Sequence, residues 1–347
     1  DLGILFQLAG LLEKYIEELR LYRPTRIVEE FARTIRKEIN FNLEASHAER
    51  FARQFRGNPA VYVPRVFRHA STERLLTMEY IEGIKAGTIE VGLASGPVAD
   101  FFPPAAITDI PYLFPTSKVA WDVMDGPFGD KLRAMFLKQT GMRCLAFGEV
   151  GFRHFTNSVR PIKSPSDLKG MKIRVMETPV YVNMLRAAGA NPTPIAWTET
   201  YTALQTHVVD GQENPIASII MAKLYEVQKY ITLDGHSYGV DWFIINEKFF
   251  QSLPPDLQYI VMDTAQTVAA VGRGFITLQN AQGLQTLIDA GMQVYSPTDA
   301  EMQQFKKVMQ PAVIDWLKTK VDPALINELL KAVDDAIVAQ KAKEGLK

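Results

Sequence analysis

The sequence predicts a mixed α/β protein preceded by a small α+β segment of two helices and two strands. Beyond about residue 87, short apolar stretches alternate with segments of helical periodicity, which is typical of α/β architecture. Before that point, two long helical patterns lead into two β-like stretches. The use of basic residues also changes there. We therefore divide the chain into residues 1–86 and 87–347.

The change in basic residues marks a boundary near Ala86–Gly87. Residues 1–86 contain 11 arginines and 3 lysines, whereas residues 87–347 contain 7 arginines and 17 lysines. Exposed helices tolerate either residue. The reversed ratio of arginine to lysine therefore indicates that the two segments have different evolutionary origins, and not that their structures require different basic residues.

The elements of the first segment follow from periodicity and end signals. Apolar residues at helical spacing cover residues 5–19, and Pro24 ends that stretch. Thr25 is the expected cap of a second helix that runs towards Gly57. Two strands are predicted at 61–63 and 75–80.

The second segment begins with a strand at 87–89 and continues as strands and helices in alternation. Ser117 is the expected cap of a helix that is interrupted at Gly126-Pro127 and ends at Gly141. A short strand is predicted at 144–147, a helical turn at 164–167 and a strand at 172–176. Helices are predicted over about 178–188, 198–207, 216–226, 255–289, 299–318 and 323–343.

Composition excludes several classes of protein. Over 347 residues, 47% are hydrophobic and 22% are charged, with a formal net charge of −1. That balance gives no reason to expect nucleic acid or an anionic membrane as a partner. Cys144 is the single cysteine and excludes an intrachain disulfide. No apolar run approaches the roughly 20 residues that span a bilayer, and no signal peptide is visible.

Residues 1–85 resemble part of the N-lobe of the UbiB family of atypical kinases. The resemblance rests on Glu38-Ile39-Asn40-Phe41-Asn42-Leu43-Glu44-Ala45, Ala48-Glu49-Arg50-Phe51, Tyr62-Val63-Pro64-Arg65-Val66 and Leu76-Thr77-Met78-Glu79-Tyr80-Ile81-Glu82-Gly83. It implies metal and nucleotide binding by Glu38 and pairing of Glu44 with a nucleotide-binding lysine. However, Asn40 stands where the family has Asp, and the lysine strand and catalytic loop are missing. Phosphoryl transfer needs these parts together, so we expect no kinase activity.

From Gly87 onward the chain resembles the DctP-type solute-binding proteins of TRAP transporters. The motifs, in order, are Gly87-Thr88-Ile89-Glu90-Val91-Gly92, Phe152-Arg153-His154-Phe155-Thr156-Asn157-Ser158, Asp167-Leu168-Lys169-Gly170-Met171-Lys172-Ile173-Arg174-Val175, Gly189-Ala190-Asn191-Pro192-Thr193-Pro194, Tyr201-Thr202-Ala203-Leu204-Gln205, Val209-Asp210-Gly211-Gln212-Glu213-Asn214-Pro215 and Tyr225-Glu226-Val227-Gln228-Lys229-Tyr230. The resemblance implies a two-lobed, type II-like periplasmic-binding-protein fold. The family's first strand–helix–strand unit is missing here, so one lobe is expected to be truncated.

Arg174 is the principal candidate for binding an anion. It lies towards the carboxyl end of the strand at 172–176, where open α/β sheets bind ligands. Its planar guanidinium can hold a carboxylate through two parallel hydrogen bonds. Spacing alone leaves open a pairing with Glu177 instead. The resemblance favours the ligand, because this is the position of the family's carboxylate-binding arginine.

Four further residues are predicted to bind the ligand. Arg153, which follows the strand at 144–149, matches a second recurrent arginine of the family and either reaches the ligand or braces the cleft. Trp197 matches a family position over the solute, the alternative being core packing. Asn214 lies in a predicted turn as a hydrogen-bonding residue or a turn cap. Glu177 either accepts hydrogen bonds from hydroxyl groups or tunes Arg174.

The sequence shows no catalytic, metal or cofactor site. His154, His207 and His236 lack metal-ligand spacing, and no Ser/His/Asp arrangement or carboxylate pair stands out. The resemblance implies a non-enzymatic periplasmic protein that captures a small carboxylate (a C4-dicarboxylate, keto acid or sugar acid) for the TRAP membrane subunits. Two alternatives stay open: a non-native fusion without activity, and a nucleotide-binding kinase fragment.

Overall fold

A computed structural model describes residues 25, 50, 81–96, 98–343 and 345. The chain divides into two units, and the described elements belong almost entirely to the second, Ile84–Lys347. Apart from Thr25 and Arg50, which are both helical, the helices and strands predicted for 5–80 lie outside the described residues, as do Glu38, Asn40 and Glu44. The predicted kinase-like segment therefore stays a prediction as a structure.

The described chain is a mixed α/β protein. Its strands are β1 (Val91–Ala94), β2 (Met142–Asn157), β3 (Lys172–Val175), β4 (Asn191–Pro194), β5 (Gly211–Asn214), β6 (Tyr230–Asn246) and β7 (Gln293–Tyr295). Its α-helices are α1 (Ile81–Ala86), α2 (Val98–Phe101), α3 (Ser117–Met124), α4 (Pro127–Thr140), α5 (Pro179–Ala187), α6 (Thr200–Gln205), α7 (Ile216–Met221), α8 (Glu247–Ser252), α9 (Pro255–Asp289), α10 (Asp299–Leu317) and α11 (Pro323–Lys343). Short 3₁₀ helices occur at Pro103–Asp109, Pro165–Leu168, Trp197–Glu199 and Leu224–Glu226.

The strands of the described chain form one sheet in the order β1-β6-β2-β5-β3-β4, with β7 also paired to β6. β3 runs parallel to both β4 and β5, whereas β2 pairs antiparallel with β5 and β6. The parallel strands are connected through helices, as parallel pairing requires. The sheet is therefore mixed, with parallel pairs at the β4 edge and between β6 and β7.

β2 and β6 form a long antiparallel ribbon through the sheet. They pair from Met142 opposite Asn246 to Asn157 opposite Tyr230. A strand of 16 residues extends over about 50 Å. β1 pairs with β6 at one end of the ribbon, and β5 and β7 pair at the other. The ribbon thus joins two parts of the sheet that have different neighbouring strands.

Hydrophobic clusters lie along the ribbon, including one shared with helices α8 and α9 that comprises Leu145, Ala146, Ile245, Phe250, Ala265 and Ala269. At the β1 end, the ring of Trp242 contacts those of Phe102, Phe136 and Phe147, with centroids 5.8, 5.2 and 4.9 Å away. All four side chains are buried, and each such burial stabilises the fold by roughly 1.5–3 kcal/mol. At the β5 end, another cluster comprises Ala203, Leu204, Val209, Ile216, Ile219, Leu224, Ile231, Leu287 and Met292.

The first described strand lies further along the chain than predicted. The sequence places it at 87–89, but β1 begins at Val91. Gly87 adopts φ +79° and its N–H donates to the carbonyl of Ile84 at 3.2 Å, which is the left-handed ending of helix α1. The residues after it form a turn, and the strand begins only when that turn is complete.

The two ribbon strands are longer than the sequence indicates. The prediction ends the first at about 149, yet β2 continues to Asn157 and contains Arg153. β6 is not predicted at all. β2 is buried on both faces and has register shifts at three places, so it shows no regular alternation of apolar and polar residues.

The helices agree with their predicted positions, with two local exceptions. The segment 216–226 is split, because Lys223 adopts a left-handed φ of 52° between α7 and the next 3₁₀ turn. Ser117 is not the cap of α3. The hydroxyl of Thr116 accepts the N–H of Val119 instead, and Ser117 donates to Glu149. No described helix is long and apolar enough to cross a membrane.

Candidate functional site

Five side chains predicted from the sequence line one cavity of about 520 Å³. β3 ends at Val175 and the parallel strand β5 ends at Asn214, so both strands deliver their last residues to the same edge of the sheet. The segments after β3 and after β4 complete the wall. The five residues are Arg153, Arg174, Glu177, Trp197 and Asn214.

Arg174 is a buried cation with an unused donor. Its side chain leaves the middle of β3, and the residue is only 1% exposed. Nε donates to the carbonyl oxygen of Ile195 at 2.9 Å, whereas Nη1 is buried and has no hydrogen-bond partner among the described residues. Burial lowers the pKa of Arg174 to about 10, so it stays charged at neutral pH. A buried unpaired charge is costly, and an anion in the cavity removes that cost.

Trp197 adds an aromatic surface beside this cation. Its indole ring lies with its centroid 5.6 Å from the guanidinium carbon of Arg174. The side chain is 37% exposed, so it is not a core residue. The ring faces the cavity and contributes a cation–π contact to Arg174. It is available to cover a solute held there.

Arg153 is held by protein groups. Nε donates to Glu213 Oε2 at 2.5 Å, and Nη2 donates to Glu213 Oε1 at 3.0 Å, to the Glu213 carbonyl at 2.8 Å and to Asn214 Oδ1 at 3.0 Å. The pair is buried, with side-chain exposures of 4% and 0%. These bonds use Nε and Nη2, and no described residue bonds Nη1. Both expected roles, contact with a ligand and bracing of the cleft, stay predictions, and Nη1 is the nitrogen left for a ligand.

Asn214 is the last residue of β5, not part of a turn as predicted. Its Oδ1 accepts from Arg153, and its Nδ2 donates to Gln212 Oε1 at 2.6 Å. An amide has two donor hydrogens and an oxygen with two lone pairs. One donor and one acceptor position thus remain for a ligand.

Behind Arg153 lies a buried ion network formed by Arg153, Glu213, His236 and Asp234. His236 bonds Glu213 Oε2 through Nε2 at 3.2 Å and Asp234 Oδ2 through Nδ1 at 3.0 Å. Burial alone would lower the pKa of His236, but the two carboxylates raise it to about 9. Burial alone would raise the pKa of Glu213, but Arg153 and His236 lower it to about 2. Arg153, Glu213 and His236 are therefore charged at neutral pH.

Asp109 and Tyr181 close the other side of Arg153. The hydroxyl of Tyr181 donates to Asp109 Oδ1 at 3.2 Å, and the guanidinium carbon of Arg153 lies 5.1 Å from the tyrosine ring centroid. Burial raises the pKa of Asp109 to about 7, although Arg153 and the bond from Tyr181 oppose it. Tyr181 is buried. It supports Arg153 instead of lining the cavity.

Sequence reasoning missed the residues that hold Arg153. Glu213 and His236 are 0% exposed on buried strands, where acids and charged histidines are rare unless paired. Their signal was the run of polar residues at 212–214 and 234–237. Polar side chains buried in central strands indicate a network in which each satisfies another. Ser95 and Asp100 also line the cavity and were not predicted.

A larger cavity of about 650 Å³ exists elsewhere and has different chemistry. Its wall includes Tyr112, Phe152, His154 and Lys306. Burial lowers the pKa of His154 to about 4, so that ring is neutral. Arg174, the buried cation with an unpartnered donor, lies in the smaller cavity. We therefore take the smaller cavity as the candidate ligand site, because the buried charge of Arg174 is a stronger indication than cavity volume. No three His, Cys, Asp or Glu side chains of the described chain are grouped to hold a metal ion.

Two family models match the chain. The model of bacterial extracellular solute-binding protein, family 7 (DctP), matches residues 73–319, and the ABC1 atypical kinase-like domain matches residues 1–92. The matches overlap at 73–92. They confirm both resemblances identified in the sequence.

Individual proteins match the second part of the chain. A solute-binding protein of Verminephrobacter eiseniae is 41% identical over 222 residues, covering 64% of this chain and 66% of that protein. The 2,3-diketo-L-gulonate-binding periplasmic protein YiaO of Escherichia coli is 34% identical over 236 residues, covering 68% and 71%. The chain therefore spans about two thirds of the length of these relatives.

Among solved structures, the sugar acid binding protein DctPAm from Advenella mimigardefordensis, in complex with galactonate, superposes with a TM-score of 0.70. It is 34% identical and covers 74% of this chain and 82% of its own. The family model covers more than half of the sequence, and the structural match supports the same family. The chain belongs to the bacterial extracellular solute-binding proteins of family 7, the DctP family.

Proposed function

We propose that residues 87–347 capture a small organic acid and present it to the membrane subunits of a TRAP transporter. The observation that carries the proposal is the buried guanidinium of Arg174, whose Nη1 has no partner among the described residues and whose side chain lines the cavity. A carboxylate supplies both the missing acceptor and the missing charge. The solute class comprises C4-dicarboxylates, keto acids and sugar acids.

We propose that Trp197, Asn214, Arg153 and Glu177 complete the binding site. Trp197 covers the solute, and Asn214 offers its remaining donor. Arg153 is fixed by Glu213, so its Nη1 is positioned in advance and loses little side-chain entropy on binding. Glu177 is exposed at the cavity, where its oxygens are free to accept hydrogen bonds from hydroxyl groups.

We propose that the fold is two-lobed, with one lobe truncated. The long ribbon of β2 and β6 joins a part of the sheet next to β1 to a part next to β5, and the bulge at Gly151 lies between them. A solute that contacts both parts only when they close shifts the open–closed equilibrium. The closed form is then the form that the membrane subunits bind. Periplasmic location follows from the same assignment and from relatives such as YiaO.

We propose that the chain performs no chemistry on its ligand. The cavity holds no nucleophile–base pair, and its charged groups are two arginines and two carboxylates. Arg153 is already neutralised by Glu213. Such a set binds and orients an acid without activating a bond. The match to the ABC1 domain raises the separate question of nucleotide binding by residues 1–92.

The proposal is tested by thermal shift with a panel of organic acids. At least one acid is expected to raise the melting temperature, because a ligand at a hundredfold excess over its Kd stabilises the native state by about 2.7 kcal/mol. Arg174→Ala is expected to abolish the shift. Arg174→Lys keeps the charge but not the planar fork, and should bind at least about tenfold more weakly.

Arg186→Ala is the matched control, because Arg186 is an exposed arginine on α5, away from the cavity. It should bind as the native chain does. The absence of any shift across a broad panel would contradict the proposal. So would an unchanged shift in Arg174→Ala.

A further inference from the structure

Two carboxylates face the cavity beside Arg174. Glu177 follows β3 and Asp100 lies in α2, and both line the cavity with exposed side chains. The two segments are in close contact. A Cβ added to Gly96 would lie 3.3 Å from Cε of Met176 and 3.5 Å from Oγ1 of Thr178. The chain leading to Asp100 therefore packs against the residues that flank Glu177.

The charges of the cavity do not balance. Its charged side chains are Asp100, Arg153, Arg174 and Glu177. Arg153 forms a bidentate ion pair with Glu213, so its charge is already compensated. This leaves one cation, Arg174, against the two carboxylates. A ligand with one negative charge satisfies Arg174, and any second negative charge meets Asp100 and Glu177.

The two carboxylates also affect each other. Burial and the negative charge of Glu177 raise the pKa of Asp100. Closing the cavity around them would remove water and strengthen this repulsion. Hydroxyl groups between them would donate a hydrogen bond to each carboxylate and offset the cost of desolvation. A charge-assisted hydrogen bond of this kind is stronger than one between neutral groups.

We infer that Asp100 and Glu177 select a monocarboxylate that carries several hydroxyl groups, and that they reject dicarboxylates. The inference rests on the proposed function and narrows it to one solute class. Arg174 binds the single carboxylate, and the hydroxyl groups bridge to Asp100 and Glu177 across the cavity. Closure of the cavity around a ligand would take Asp100 and Glu177 out of water, and like charges brought together at a binding site cost several kcal/mol. The second carboxylate of a C4 acid is therefore the feature by which the site discriminates.

The test is isothermal calorimetry on the full chain at neutral pH with three probes. D-Galactonate has one carboxylate and hydroxyl groups, succinate has two carboxylates, and hexanoate has one carboxylate without hydroxyl groups. Galactonate is expected to bind at least about tenfold more tightly than succinate and than hexanoate. If none of the three acids binds but another acid of the thermal-shift panel does, only the inference is wrong. If no acid of the panel binds either, the proposed function is wrong as well. If succinate binds as tightly as galactonate, only the inference is wrong.

The variants Asp100→Asn and Glu177→Gln assign the effect to these side chains. Each removes one negative charge and keeps the shape, so each should weaken galactonate and strengthen succinate, and move the ratio of the two Kd values by about tenfold. A merely structural role would weaken both ligands alike. Asp256→Asn, an exposed acid of α9 away from the cavity, is the matched control and should change neither. An unchanged ratio in both site variants would overturn the inference.

Discussion

Arg153 and Arg174 show how two residues of the same type take different roles through their partners. Both are buried and both line the cavity. Arg153 has a bidentate carboxylate partner in Glu213, whereas Arg174 has one backbone carbonyl and an unpartnered Nη1. An arginine already paired with an acid adds little further attraction for an anion. We therefore expect Arg174 to provide most of the attraction for a carboxylate and Arg153 to shape the wall of the cavity.

The buried ion network predicts a loss of stability at alkaline pH. The pKa of His236 is raised to about 9 in the folded protein, above its unfolded value of about 6.5. The protonated ring therefore stabilises the fold fully below about pH 6.5, and that contribution is lost as pH rises through 9. Between pH 7.5 and 9, the melting temperature of the native chain is expected to fall by roughly 3–6 °C.

This pH range separates His236 from its titrating neighbours. His154 has a pKa of about 4 and has completed its titration before pH 7.5. Asp109 has a pKa of about 7, so it is already roughly three quarters ionised at pH 7.5 and contributes only a small part of the change above it. His236→Gln should be less stable throughout and show a flatter profile. His207→Asn is the control, because His207 is exposed and its left-handed backbone suits asparagine. A native profile no steeper than that of His236→Gln would contradict the assignment.

The site was predicted from the sequence as a set of residues but not as a set of interactions. The five candidates share one cavity, although their contact with a solute stays a prediction. The pairing of Arg153 with Glu213 was not predicted, because they are 60 residues apart and no spacing rule connects them. Asp100 was missed for the same reason. It reaches the cavity on α2, while the principal candidates come from β3 and β5.

At the level of elements, the helices were predictable and the long strands were not. Helices such as α9 and α11 were found at their predicted bounds because Pro255 and Pro323 mark their first residues. β2 and β6 are buried strands interrupted by bulges and glycines. These interruptions remove the alternation of apolar and polar residues by which a strand is predicted from sequence. The same bulges give the ribbon its places to bend.

The bulge at Gly151 predicts a variant that impairs binding from outside the cavity. Gly151 adopts φ +107° opposite Gly239, and a Cβ there would lie 3.2 Å from Nδ2 of Asn280 and 3.3 Å from Cγ2 of Ile276. Gly151→Ala should therefore lower stability by about 1–3 kcal/mol. It should also weaken the binding of galactonate by several-fold, because it stiffens and distorts the ribbon on which the proposed closure depends. Calorimetry and thermal unfolding measure the two effects separately.

Gly291→Ala is the matched control for backbone strain. Gly291 has φ +90°, and a Cβ there meets no atom within 4 Å. It should lose comparable stability and keep the native Kd for galactonate. Equal weakening of galactonate in both variants would show that strain alone, and not the position in the ribbon, is responsible.

At the scale of the whole molecule, two family matches meet between residues 73 and 92. The solute-binding part keeps the residues that its proposed chemistry requires. The kinase-like part keeps Glu38 and Glu44 but has Asn40 at a position where the family has Asp, and no lysine strand precedes them in this sequence. Phosphoryl transfer requires the metal-binding acids and the lysine–glutamate pair together, because they position the phosphate and neutralise its charge. We therefore expect the two parts of this chain to differ in ligand binding, with an anion site in the solute-binding part and no working nucleotide site in residues 1–86.

This asymmetry predicts that an organic acid stabilises the chain and Mg-ATP does not. In thermal unfolding, galactonate in excess is expected to raise the melting temperature, while millimolar Mg-ATP leaves it unchanged, because a ligand stabilises only a protein that binds it in the native state. Calorimetry with Mg-ATP should show no saturable heat. Saturable binding lost in Glu38→Ala but kept in the control Glu49→Ala would instead establish a nucleotide site in residues 1–86. An acid-dependent shift in the same preparation is the positive control for the solute-binding part of the chain.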